Sequence, residues 1–179
     1  MENTVKKLKN LLRSGILNLV CAVLSILVFF AFLFVVKSGA IVGTYEGWEG
    51  LGVAIVLVLF LPIALIAYIP VLVSAVYGLV FGILAIVNYS KVKKGKELKF
   101  GKGLFVTNIV LKILGYVFLA VEIILINIMF NACNNTLGGI IFDGAIVVLI
   151  ALLIVCTVLD GKANSERKNY LKALEETIG

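Results

Sequence analysis

Four stretches of this chain stay apolar for longer than any globular core requires: Ser14 to Val36, a region within Gly50 to Tyr89, Leu104 to Phe130, and Gly138 to Leu159. About 20 residues of α-helix cross a hydrocarbon layer of about 30 Å, and each stretch reaches that length. A transmembrane β-barrel would alternate apolar and polar residues in segments of about ten, and runs such as Ile146-Val147-Val148-Leu149-Ile150 do not alternate. The expected fold class is all-α, an integral membrane bundle of four transmembrane helices forming one membrane domain over residues 1–179. Composition agrees: 62% of the residues are hydrophobic and 15% charged, against roughly 45–50% and 25% in soluble domains.

The first apolar run follows Lys6, Lys7, Lys9 and Arg13, as a secretory signal would. A signal core is about 7–15 residues long, so the longer Ser14–Val36 run is expected to be a retained helix. Besides those four cations, six (Lys91, Lys93, Lys94, Lys96, Lys99, Lys102) fall between the second and third spans, and four (Lys162, Arg167, Lys168, Lys172) follow the fourth. With four spans all fourteen lie on one side, and the positive-inside bias makes that side the cytoplasm. The basic loop and the amphipathic start (Val5, Leu8 and Leu12 against Lys6, Lys7 and Lys9) favour anionic lipids at that face of the bilayer. The same bias accounts for the net charge of +6. Nucleic acid is not an expected partner, because it would call for an aromatic-interleaved basic face or a recognition motif.

Drawn as one helix, the Gly50–Tyr89 region would measure about 60 Å, twice the hydrocarbon thickness, yet it holds no charge and no polar hairpin. Two crossings there would turn the six-lysine loop outward. A helix break at Pro62 and Pro70 resolves the conflict, since each proline removes a backbone donor and clashes with the preceding turn. The expectation is an interfacial or re-entrant piece from about Leu51 to Leu61, then a main span over residues 64–89. Interrupted helices carry substrate or ion sites in some transporters and are plain kinks elsewhere.

The third span carries charge deep in the membrane. Asn108, Gly115 and Glu122 form a heptad row with Lys112 beside it, within an arc of about 80°. Its eighteen Leu, Ile, Val and Phe residues supply about −5 to −11 kcal/mol of insertion free energy against about +6 for two central charges, so the helix inserts with this stripe facing protein or water. The first span has a matching face of Ser14, Asn18, Cys21 and Ser25 within about 60°. Both spans run in the same direction, and Asn18 or Ser25 is expected to offer oxygen acceptors to Lys112. Glu122 lies about 15 Å from Lys112 along the axis and is expected to be protonated or paired with another span. Two hairpins of one pattern are also discernible. Asn18 to Ser25 and Asn108 to Gly115 share the frame Asn-x-Val-x-x-x-Leu-small, and Gly52 and Gly144 open similar apolar runs.

Histidine is absent, and no Gly-x-Ser-x-Gly elbow, phosphate-cradling glycine pattern or cysteine redox pair occurs. An enzyme is therefore not expected, nor any cofactor or metal. Cys133 is expected in an outer loop, open to an intermolecular bond, with Cys21 and Cys156 in the core. Asn134-Asn135-Thr136 fits a glycosylation acceptor, and Tyr45 and Trp48 fit an aromatic belt. Residues 160–179 are expected to form a short cytoplasmic helix. The stretch from Gly78 to Ala85, through Lys94-Gly95-Lys96, to Gly101-Lys102-Gly103 resembles small multi-span bacterial proteins of unknown function. The expected location is a bacterial or archaeal cell membrane.

Two function classes follow. One is a non-catalytic bundle acting through a membrane-protein partner or as a homo-oligomer, of accessory, sensor, immunity or defence type. The alternative is a small oligomeric channel or transporter that uses the Asn108/Lys112/Gly115/Glu122 stripe.

Overall fold

A computed structural model describes residues 8–37, 47–96, 98, 100–133 and 136–178. Among them five helices occur and no strand: α1 (Lys9–Lys37), α2 (Gly47–Ala67), α3 (Ile69–Lys93), α4 (Lys102–Ala132) and α5 (Thr136–Ile178). Four stretches, Lys9–Val36, Gly50–Lys93, Lys102–Ala132 and Leu137–Glu176, are long and apolar enough to cross a membrane. The all-α, four-span bundle is the architecture observed. Val5, Lys6, Lys7, Lys99, Tyr45, the Trp48 and Thr136 side chains, and Asn134 and Asn135 of the glycosylation acceptor lie outside the described residues.

The helices close a ring. α1 packs on α3 and α5, and α4 packs on the same two, so α1 and α4 stand on a diagonal. Neighbours are antiparallel, as Gly15 against Gly82 and Asn127 against Asp143 show. The outward face of α1 is Ile16, Val20, Val23, Leu27, Phe30 and Phe34, a strip about 27 Å long, close to one hydrocarbon thickness. Its inward face is Ser14, Asn18, Cys21 and Ser25, all buried. Large apolar side chains face lipid, where hydrophobicity costs nothing, and small or polar ones face protein, where close approach and hydrogen bonds hold helices together. Several inward polar groups close onto their own helix four residues back, such as Ser25 Oγ on the Cys21 carbonyl and Asn88 Nδ2 on that of Leu84.

The break in the second span falls at Tyr68, between the two prolines. Tyr68 keeps right-handed helical angles (φ −77, ψ −15), and its amide still reaches the Ala64 carbonyl at 3.0 Å while Leu72 reaches that of Tyr68 at 3.1 Å. The region is kinked rather than cut, because Pro70, in the first turn of α3, removes only the one donor that the Ile66 carbonyl would have used. Residues 51–61 are the middle of the 21-residue α2 rather than a short separate piece. Pro62 is exposed inside that helix, which continues past the one amide donor it lacks. Past the kink α2 packs mainly on α4 and little on α3. Tyr68 is fixed by stacking on Phe29 at 5.2 Å and by donating its hydroxyl to the Ser25 carbonyl at 3.0 Å.

Three further differences from expectation bear on function. The fourth span and the tail are one unbroken 43-residue helix, so Asp160 stands inside the bundle. Cys133 caps α4 as a buried residue, 4% exposed, which removes it from the surface an intermolecular bond would need. Beyond the lipid-facing belt the bundle keeps its own core at the basic end, where Phe81, Phe100 and Phe105 meet with ring centres 5.0–5.3 Å apart. There α3 stops at Gly95, whose φ of 74 suits glycine, and the Lys96 amide turns back to the Lys91 carbonyl.

Among the described glycines, the tightest approach is that of α1 on α3. A Cβ on Gly82 would lie 2.7 Å from the Gly15 carbonyl oxygen and 2.9 Å from Leu19 Cγ, so the backbones themselves are in contact. Gly82→Ala should therefore cost about 1–3 kcal/mol of stability by forcing α1 and α3 apart. Gly52→Ala, whose Cβ would meet nothing within 4 Å, should be neutral or slightly stabilising. Denaturant unfolding in detergent micelles checks the pair, and equal stability of Gly82→Ala and wild type would contradict the close approach.

Candidate functional site

The centre of the bundle holds a polar cluster drawn from α1, α4 and α5. Asp160, wholly buried on α5, accepts four hydrogen bonds. Ser14 Oγ at 2.5 Å and Asn18 Nδ2 at 2.9 Å donate to Oδ1. Asn108 Nδ2 at 2.8 Å donates to Oδ2, and the Lys112 ammonium forms an ion pair with the same oxygen. A carboxylate offers about four lone-pair positions, so Asp160 is saturated. Asn108 also donates to Asn18 Oδ1 at 3.0 Å, which ties the diagonal helices α1 and α4 across the ring.

Lys112 is 2% exposed. Besides Asp160 it donates to Cys156 Sγ at 3.0 Å, and its ammonium lies 6.0 Å from the centre of the Phe81 ring on α3. The third helix thus contributes an aromatic face to the cation. It also brings Gly78 alongside Asn18, whose Oδ1 would lie 3.6 Å from a Cβ at that position. A cavity of about 10 Å³ adjoins the cluster, lined in part by Asn18, Cys21, Ser25, Ser74 and Lys112, room for about one water molecule.

Of the residues expected to form a site, Asn18, Asn108 and Lys112 come together. The acceptors of Lys112 are Asp160 and Cys156 rather than Asn18 or Ser25. Asn18 gives its oxygen to Asn108, and Ser25 lines the cavity while donating to its own helix. Gly115 packs on Ser74 of α3. Glu122 stands apart, about 15 Å further along α4 and 1% exposed, with Oε1 lacking a hydrogen-bond partner among the described residues. Pro62 and Pro70 contribute no side-chain group, and Pro70 marks the kink beside Tyr68.

Asp160 is the residue that sequence reasoning missed. It closes the apolar run and so reads as the start of the tail, but Cys156 and Asp160 are four apart and share one helix face. A lone acid at the foot of one span and a lone lysine low in another were a signal for pairing. A second unforeseen bond, Asn127 Nδ2 to Asp143 Oδ2 at 2.7 Å, joins α4 to α5 toward the opposite end. At the basic end the Asn10 amide and side chain hold Glu166 at 3.1 and 2.6 Å, fixing the start of α1 to α5.

No group of three or more His, Cys, Asp or Glu residues suited to a metal occurs among the described residues. No protein-family model, curated protein or solved structure matches this chain.

Asn108 donates to two buried acceptors at once. Asn108→Leu should therefore lower stability by about 1–3 kcal/mol, because Asn18 Oδ1 loses its partner on α4 and Asp160 Oδ2 loses one of its two donors while Lys112 keeps its ion pair. Val110→Leu, on the lipid face of the same helix, should change it little. Unfolding in mixed micelles reads the difference, and a neutral Asn108→Leu would mean that the cluster does not hold the helices.

Proposed function

We propose that this chain is a non-catalytic membrane bundle that works through a membrane-protein partner or through its own assembly, as an accessory, sensor, immunity or defence component. It resides in a bacterial or archaeal cell membrane with both termini and the 91–102 segment in the cytoplasm and anionic lipids against that face. The saturation of Asp160 carries this reading. Intramembrane charges are ordinarily the place to look for a substrate path, but here the anion is fully coordinated by Ser14, Asn18, Asn108 and Lys112 of the same chain. Such a cluster joins helices and offers no open coordination position to a passenger.

One observation favours the second reading. Glu122 is a buried acid with an oxygen unpartnered among the described residues, and an oligomer could line a proton or cation path with it. Reconstitution into proteoliposomes separates the two. The bundle reading predicts proton, sodium and potassium fluxes equal to those of protein-free vesicles, and cross-linking in native membranes to a partner or a second copy. Flux in the wild type that Glu122→Gln abolishes while the protein stays inserted would establish the channel or transporter instead. For the orientation, a Lys96→Cys variant without native cysteines should resist an impermeant thiol reagent added to intact cells, and labelling there would reverse it.

A further inference from the structure

Lys112 has a counter-charge in Asp160; among the described residues Arg167 has none. Arg167 is 6% exposed, its Nε has no acceptor among the described residues, and its guanidinium lies 6.0 Å from the centre of the Phe105 ring. Among the described residues the one ion pair is Lys112–Asp160, and the adjacent acid, Glu166, is held by Asn10. Exposed Lys102, Lys162 and Lys168 at the same end add positive charge. A buried cation without a carboxylate partner among the described residues, in a region of surplus positive charge, suits an anion from outside the chain.

Its depth narrows the choice. Phe105 immediately precedes Val106, the first of the lipid-facing side chains of α4, which continue through Val110, Leu114 and Val117. Long side chains on a helix lean toward its N-terminus. For Arg167 that direction is back toward the lipid-facing part of α5, which ends at Val158. The guanidinium therefore lies at the rim of the apolar belt, the level at which a bilayer places its phosphates. Its planar fork matches two phosphate oxygens better than a point charge does.

We propose that Arg167, over Phe105, binds the phosphate of one membrane phospholipid at the basic rim of the bundle. The proposal rests on the membrane placement of the chain and is independent of the partner and orientation readings above, which its failure would leave standing.

The test uses purified full-length protein in detergent, native mass spectrometry, and three probes: short-chain phosphatidic acid, short-chain diacylglycerol and inorganic phosphate. Wild type should hold one phosphatidic acid about tenfold more tightly than R167Q, and more tightly than it holds either other probe. The surface variant K162Q/K168Q should keep that single tight lipid. Equal affinity of wild type and R167Q would overturn the proposal. So would inorganic phosphate binding as tightly as the lipid, which would make the ligand a soluble phosphate. Should R167Q not fold, wild-type thermal stability decides: a rise with phosphatidic acid alone supports the site, and an equal rise with diacylglycerol refutes it.

Discussion

A lysine on one membrane helix and an aspartate on another cannot both be drawn into an apolar bundle unless they meet. Each alone would carry an uncompensated charge, at about 2.5–3.5 kcal/mol even on the mildest scale. Lys112 and Asp160 do meet, and the other features of the centre follow from their contact. The pair fixes the rotation of α4 and α5 about their axes. That rotation sends Asn108 toward Asn18, and Ser14 and Asn18 then complete the shell of Asp160 from α1. α3 accommodates the result with Gly78 beside Asn18 and Phe81 beneath the ammonium. The contribution of such a pair is chiefly specificity, since buried ion pairs add little net stability over apolar packing but penalise every arrangement that separates them.

The ring order gives the shared sequence frame of the two hairpins a structural counterpart. α1 and α4 begin those hairpins, stand diagonally across the bundle, and touch through Asn18 and Asn108, the first residues of the repeated frame. A twofold relation along the bundle axis would bring just these two positions together. The two halves differ in their second spans: α2 and α3 are kinked at Tyr68, whereas α5 runs unbroken for 43 residues.

How much of this could be read beforehand depended on which physical rule was decisive. The spans were legible because bilayer thickness fixes their length, and the kink because Pro70 cannot supply its amide. Lys112, Asn108 and Asn18 were legible as stripes, since helical periodicity puts each on an inward arc. Asp160 was hidden by a rule that is correct on average, namely that a charge ending an apolar run belongs outside. It was overridden because α5 continues as helix and the bundle extends past the lipid-facing belt to the Phe81, Phe100 and Phe105 layer. Cys133 was hidden likewise: adjacency to a short connection suggests exposure, but the end of α4 is packed among neighbours.

The claim that Lys112 and Asp160 organise the bundle is tested most directly by a double-mutant cycle on their contact. Lys112→Met, Asp160→Leu and the double variant would be unfolded reversibly in mixed micelles beside the wild type. Each single change should cost about 3–5 kcal/mol, because it strands a buried charge or its ring of donors, and the double should cost far less than the two together. Losses that simply add would contradict the account, since they would mean that the two residues stabilise the fold independently of each other.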